Sequence, residues 1–183
     1  YADEFEYLTN SGVALEVSAI SNPRFPLAES EQKKLVKLYL KDVGVLTYLL
    51  YYLNVNAVLQ DIKSINLGTV YESVVAQELV AHGFKLHYYD NKQKGEVDFL
   101  IDDHDNLTVL PLEIKSGKDY TKHSALTKFL DTPEYGINQA FVFSNEREIF
   151  KKKGVTYLPV YYCMFLQNKH HDDSVILPEL ESV

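Results

Sequence analysis

Between Gly95 and Lys118 the chain reads Gly-Glu-Val-Asp-Phe-Leu-Ile-Asp, a polar turn, then Leu-Pro-Leu-Glu-Ile-Lys-Ser-Gly-Lys, and few folds accommodate that run. In its first half Val97, Phe99 and Ile101 alternate with Glu96, Asp98 and Leu100, the period of a strand with two unlike faces. Asp98 is therefore expected to point away from Val97 and Phe99. In its second half Leu110, Leu112 and Ile114 take one face, and Val109, Pro111, Glu113 and Lys115 take the other. If residues 102–106 close an antiparallel hairpin, Asp98 lies about one diagonal cross-strand step from Glu113, roughly 7–8 Å between backbones. Two carboxylates and a lysine then converge at one end of a sheet.

A chain of 183 residues suits one domain, or one domain with a small appendage, and is long enough to bury a core. Tyr1 stands where an initiator methionine is expected, so the chain is expected to be part of a longer protein. Its one cysteine, Cys163, lies in an apolar run and points to a reducing compartment. No apolar run reaches the ~18 residues of a membrane span, and no signal-peptide pattern opens the chain. The expectation is a soluble cytoplasmic protein with no membrane partner.

The formal net charge of −8 argues against a broad phosphate-binding surface. It leaves room for local ones at Lys92 and Lys94, at Lys115, Lys118 and Lys122, and at Arg147 with Lys151 to Lys153; the plainer reading makes these solvated faces. None of the eight glycines sits in a Gly-x-x-x-x-Gly-Lys-Ser/Thr loop, so no nucleotide site is expected in this chain.

Along the rest of the chain, residues 1–10 read as the end of a helix and Val13 to Ile20 as a strand, before Asn22-Pro23 and Phe25-Pro26 break the pattern. A strand is expected from Leu35 to Leu40, then a core helix capped by Asp42 and carrying Val45, Leu46, Leu49, Leu50 and Leu53. Residues 54–67 are ambiguous. Gly68 to Gly83 is the clearest helix, with Thr69 as candidate N-cap, a stripe of Val70, Val74, Val75, Leu79 and Val80, and Gly83 as the stop.

Glu72 has two readings. It closes a capping box with Thr69, or it lies along the buried stripe, three and seven residues from Val75 and Leu79, where a carboxylate wants a partner. Strands follow at Phe84 to Tyr89, in the opening hairpin, at Gln139 to Ser144 and at Val155 to Val160, with a short helix from Ser124 to Leu130. Pro111 suggests a bulge in the second hairpin strand. Tyr161 to Leu166 is apolar and unassigned, and residues 168–183 read as a polar tail. Strands alternating with helices imply an α/β layered sheet, and the hairpin makes it mixed.

Asp98 and Glu113 can supply the one or two carboxylates that hold Mg²⁺ or Mn²⁺ alongside waters and a substrate phosphate, with the Ile114 carbonyl as a third ligand. Lys115, two residues on along the same face, can orient or deprotonate an attacking water and offset charge on a phosphorane-like transition state. Glu72 can complete the set directly or through a water. The histidines add little: His170-His171-Asp172-Asp173 lies in the polar tail, and His82, His87, His104 and His123 have no spacing that demands a site. Tyr51-Tyr52, Tyr88-Tyr89 and Tyr161-Tyr162 can stack on bases but fit core packing better.

Glu72 on a helix, Asp98 in a strand and Glu113-Ile114-Lys115 in the next resemble the PD-(D/E)XK nuclease superfamily. Lys37-Leu38-Tyr39-Leu40-Lys41-Asp42-Val43-Gly44, Gly68-Thr69-Val70-Tyr71-Glu72, Glu96-Val97-Asp98-Phe99 and Glu113-Ile114-Lys115-Ser116-Gly117-Lys118 further resemble the C-terminal domain, of unknown function, of archaeal-type AAA+ ATPases. The resemblance spans most of residues 12–166. It implies a central mixed sheet of about four strands flanked by helices, and a catalytic set of Glu72, Asp98, Glu113 and Lys115 in a Mg²⁺-dependent phosphodiester hydrolase.

The resemblance also implies an upstream ATPase region, missing from this chain, that would carry the phosphate loop. The domain reading is then an N-terminal segment 1–34 from a winged-helix-like region, a nuclease-like domain 35–166 and a tail 167–183. The chain departs from the pattern in two places: Val97 replaces the proline before Asp98, and the helix near Ser124 offers Lys122, Ser124 and Lys128 but no glutamine. Three readings stand. The chain is a nuclease acting on DNA or RNA, or an inactive module of an ATPase that binds nucleic acid or protein, or it carries only a surface ion-pair ladder worth ~0–1 kcal/mol per pair.

Overall fold

The computed structural model describes residues 2–54, 56, 59, 60 and 67–168. Among them eight strands form one mixed sheet: β1 (Ala14–Ile20), β2 (Glu31–Leu40), β3 (His87–Asn91), β4 (Gly95–Asp103), β5 (Thr108–Lys115), β6 (Ala140–Ser144), β7 (Phe150–Lys152) and β8 (Val155–Pro159). Their spatial order is β2-β1-β3-β4-β5-β6-β8-β7. The resemblance implied about four strands. The sheet is wider because β1 and β2 pair antiparallel and extend one flank, while the β7–β8 hairpin extends the other. β1, which lies within the 1–34 segment, is hydrogen-bonded between β2 and β3. At the centre β3–β4 and β4–β5 are antiparallel, and β5–β6 is parallel.

Side-chain alternation splits the core in two, because neighbouring residues on a strand face opposite sides of the sheet. On one face Tyr88, Phe99, Ile101, Leu110, Leu112, Ile114 and Phe143 pack under Val75, Ala76 and Leu79 of helix α3 (Gly68–Ala81) and Cys163. On the other Tyr89, Val97, Leu100, Val109 and Val142 pack under Leu126 and Phe129 of α4 (Ser124–Leu130). The apolar segment after β8 winds into a 3₁₀ turn, Val160–Phe165, that carries Cys163 inward. Helix α1 (Ala2–Asn10) leads through Gly12, at φ 72°, into β1.

Helix α3 ends as its sequence dictates. Gly83 adopts φ 80°, its N–H bonds to the Val80 carbonyl, and the Phe84 N–H bonds to the Leu79 carbonyl, the paired closure a glycine permits after a helix. Its start differs from expectation. The N-cap is Leu67, with no side-chain cap, and Thr69 already lies within the helix, so the Thr69–Glu72 capping box does not form. Ser73 and Ala76 are buried while Val74 is 38% exposed, because small residues let the helix approach the sheet closely.

Helix α2 (Val43–Tyr51) is capped as the sequence says, with Asp42 Oδ1 accepting from the Val45 N–H at 3.0 Å. It is not a core helix. Leu46 is buried against Leu67 and Val70, but Val45, Leu49, Leu50 and the following Leu53 are exposed. A nine-residue helix resting on the flank of the structure can bury one edge only. Most of the segment expected to be ambiguous at 54–67, and the His170-His171 run in the tail, lie outside the described residues.

Candidate functional site

The expected β4–β5 hairpin forms, from Asp103 opposite Thr108 to Phe99 opposite Leu112, but its turn is residues 104–107 rather than 102–106, a register that carries Asp98 opposite Glu113 instead of a diagonal step away. Its turn is closed by Asp103, whose carboxylate accepts from the Asn106 backbone N–H at 3.1 Å and from Asn106 Nδ2 at 2.8 Å. At the other end the pairing stops one residue short of the acids. There Asp98 Oδ2 takes the Ile114 N–H at 2.7 Å in place of a strand carbonyl. A residue's N–H and carbonyl lie on the same edge of its strand, so the Ile114 carbonyl is turned the same way.

A bulge helps to aim Asp98, and it is in β4 rather than at Pro111. His87 pairs with Leu100 but Tyr89 pairs with Val97, so Asp98 and Phe99 together stand opposite Tyr88. The extra residue breaks the alternation. Val97 and Phe99, expected on one face, enter opposite cores. Pro111 sits opposite Leu100 in an unbroken β4–β5 register, one residue before β5 begins to pair with β6 at Leu112, so its missing N–H interrupts neither ladder.

Glu113 is only 4% exposed. Its Oε1 meets Lys115 Nζ at 2.6 Å, while Oε2 is buried with no hydrogen-bond partner among the described residues. Burial pushes the Glu113 carboxyl above its ordinary range, against the pull of Lys115 and a smaller one from His123. Burial, then the charge of Glu113, pushes Asp98 up to about 8 despite the Ile114 N–H. For Lys115, burial favours the neutral amine, but Glu113, Asp98 and Glu72 outweigh it and hold the ammonium above its usual range. One lysine thus serves a buried acid and a half-buried one, which is a different thing from a surface ion-pair ladder.

Glu72 projects from the first turns of α3 and receives the Tyr39 hydroxyl on Oε2 at 3.1 Å. The partner a carboxylate on the buried stripe requires is therefore a phenol. Burial, then Glu72, drives the Tyr39 hydroxyl well above its usual pKa, so it stays a donor. Glu72 reaches Asp98 and Lys115 electrostatically, but among the described residues no three His, Cys, Asp or Glu side chains are gathered as a ready metal cage. Asp98, Glu113 and Lys115 are brought together; Glu72 stands one step back.

Reading the sequence alone missed two groups. Tyr39 is one of 14 tyrosines and only strand pairing reveals that it faces Glu72. His123 has no informative spacing, yet its ring bears on Glu113 from the α4 side. The donor set is chemically consistent with a hard divalent cation: two carboxylates with an orphaned oxygen, beside a backbone carbonyl.

Residues 67–163, just over half of the chain, match the family described as Domain of unknown function (DUF4143). No curated protein and no solved structure matches the chain. Among the described residues no helix is long and apolar enough to cross a membrane.

Proposed function

Since the chain belongs to the DUF4143 family, a domain of unknown function, we propose its activity from the site itself: divalent-metal-dependent hydrolysis of phosphodiester bonds in DNA or RNA. The observation that carries this reading is the orphaned Oε2 of buried Glu113, with half-buried Asp98 close enough to feel its charge and Lys115 as the cation that answers both. Like charges so placed cost energy until a cation joins them. Asp98, Glu113 and the Ile114 carbonyl would hold Mg²⁺ or Mn²⁺, and Glu72 would act from behind, oriented by Tyr39. When bound, the ion supplies neutralising charge for a phosphoryl oxygen.

The residues of the chain do the rest. Lys115, kept protonated by the acids around it, orients a water and offsets charge developing on the phosphate; its raised pKa favours that role over proton abstraction. The bulge in β4 and the Ile114 N–H hold the Asp98 carboxylate at the end of the hairpin. This reading agrees with the resemblance to PD-(D/E)XK nucleases and, through it, with an upstream AAA+ ATPase region.

The experiment is incubation of the protein with single- and double-stranded DNA and RNA in Mg²⁺ or Mn²⁺. Cleavage is expected, and it disappears in Glu113→Gln and Lys115→Ala. Activity that survives both substitutions removes these residues from the mechanism. The second reading, an inactive binding module of an ATPase, is favoured by the lack of a three-side-chain cage among the described residues. Carboxylate-dependent Mn²⁺ binding without cleavage of any substrate would select it.

A further inference from the structure

On the α4 face of the sheet a cleft of about 240 Å³ opens between α4 and the β7–β8 hairpin. Lys152, Lys153, His123, Thr121, Thr127 and Asp131 line it, above a floor that includes Tyr157. Two lysines, two threonines and a histidine thus stand around one acid. Neither lysine has an ion-pair partner among the described residues.

The cleft is built rather than incidental. Lys153 and Gly154 adopt φ 49° and 79°, the two left-handed residues of a tight hairpin turn in which asparagine-glycine is the favoured pair. A lysine in that position holds a backbone conformation that residues with a side chain seldom adopt. The turn is also pinned. A Cβ on Gly154 would meet the Asn138 carbonyl oxygen at 2.7 Å, and the Gly154 carbonyl accepts the Ala140 N–H at 3.1 Å. The opposite wall is fixed as well: His123 Nε2 lies 2.6 Å from the Tyr157 hydroxyl, and the Tyr157 ring stacks on Phe150 with centroids 4.4 Å apart. Tyr157 lies two strands from Glu113 in the same register, Glu113 opposite Val142 and Val142 opposite Tyr157, which puts the cleft on the same side of the sheet as the proposed reaction centre.

We infer that this cleft seats a backbone phosphate of a nucleic-acid strand, next to the phosphodiester presented to Asp98 and Glu113. The inference deepens the proposed hydrolase reading and rests on it for the nature of the ligand. Lys152 and Lys153 neutralise the phosphate and Thr121 donates to its oxygens, while Thr127, whose hydroxyl donates to the His123 carbonyl at 3.1 Å, braces the wall behind them and the pinned turn fixes the backbone that carries the cations. A local cradle of this kind reconciles nucleic-acid binding with a chain whose net charge is −8.

The test is fluorescence anisotropy of the full chain with a labelled single-stranded DNA oligonucleotide, in EDTA, over a series of salt concentrations. The Lys152→Ala/Lys153→Gly double variant, in which glycine relaxes the turn, is expected to bind about 10-fold more weakly, with a salt slope shallower by about 0.7 for each phosphate that is no longer neutralised. Lys33→Ala/Lys34→Ala removes the same charge from exposed positions on β2 and is expected to bind like the parent. If the first variant misfolds, Lys152→Gln/Lys153→Asn restores a residue that the turn favours.

Unchanged binding in the cleft variants, equal loss in the β2 control, or no oligonucleotide binding by the parent would each overturn the inference. Protection of the cleft by inorganic phosphate without oligonucleotide binding would overturn it too, assigning the site to the free anion. Cleft-dependent binding without cleavage under any metal would instead leave the cleft standing and remove the hydrolase. Cleavage with cleft-independent binding would do the reverse.

Discussion

Glu31 and Glu113 are both held by a lysine at the same distance, 2.6 Å, yet they behave oppositely. Glu31, at the start of β2, is drawn below the usual carboxylate range, chiefly by its hydrogen bond to Lys85, with Ser18 and His87 adding to the effect. Glu113 is pushed above that range. Lys85 is 65% exposed and serves Glu31, so that pair is complete. Lys115 answers both buried Glu113 and half-buried Asp98, and burial together with the charge of Glu113 keeps a proton on Asp98 up to about pH 8. The length of an ion pair therefore says little about its purpose. The surroundings of the acid, and not the length of the pair, set the direction of its shift.

The sharpest break in the comparison is catalytic. Glu113→Gln is expected to lower nucleic-acid cleavage by on the order of 10²–10³-fold, as loss of one charge-stabilising group does, while Glu31→Gln leaves the rate within about twofold. Steady-state cleavage of one labelled substrate by both variants measures this.

Next in size is the dependence of stability on pH. The folded-state pKa of Asp98 is raised from 3.8 to about 8, so the folded protein holds a proton that the unfolded chain releases. Its favourable contribution is present at low pH and is lost as pH rises across that interval. Asp98→Asn keeps an oxygen to accept the Ile114 N–H and removes the charge. At pH 8 without metal it is expected to melt higher than the parent. Each pKa unit of relieved shift is worth about 1.4 kcal/mol, or about 2–4 °C for each kcal/mol in a chain of this size. Addition of Mn²⁺ should raise the melting temperature of the parent and leave Asp98→Asn unmoved.

Smaller effects of the opposite sign are expected at the other pair. The pKa of Glu31 is lowered, so its contribution is present above the ordinary carboxylate range and disappears as pH falls through the lowered value. Glu31→Gln should cost about 0.5–1.5 kcal/mol at neutral pH and nothing in acid, read from denaturant midpoints. His87, 1% exposed, lies with Nε2 3.5 Å from Glu31 Oε2 but without a hydrogen bond, and burial lowers its pKa. Its cost therefore appears below about pH 6.5, where the unfolded chain takes up the proton. Lys85→Ala should be smallest, about 1 kcal/mol or less, because its ammonium is mostly solvated.

How much of this could be read in advance depended on distance along the chain. The meeting of Asp98 with Glu113 and Lys115 was legible, since a polar turn between two strand-like runs is a local signal, and a hairpin brings the residues on either side of it together even though the turn lies at 104–107 and not at 102–106. The Gly83 stop and the Asp42 cap were legible for the same reason. The bulge that turns Asp98 was not, because it exists only in the pairing of β4 with β3, and Pro111 drew the expectation to the wrong strand. Tyr39, 33 residues from Glu72, and His123, on the far side of the sheet from α3, carried no local mark. Nor did the exposure of α2, whose leucines read as core until the flank of the sheet left them uncovered.

The sequence by itself determined the strand pattern, the helix ends and the identity of the acids at the hairpin's open end, because these follow from backbone periodicity and from side chains a few residues apart. Only the tertiary structure decided that Glu113 is buried and Asp98 half-buried around one lysine, and that the left-handed Lys153–Gly154 turn belongs to the same sheet. Burial and long-range electrostatics belong to the packed sheet, and no window of the chain contains them.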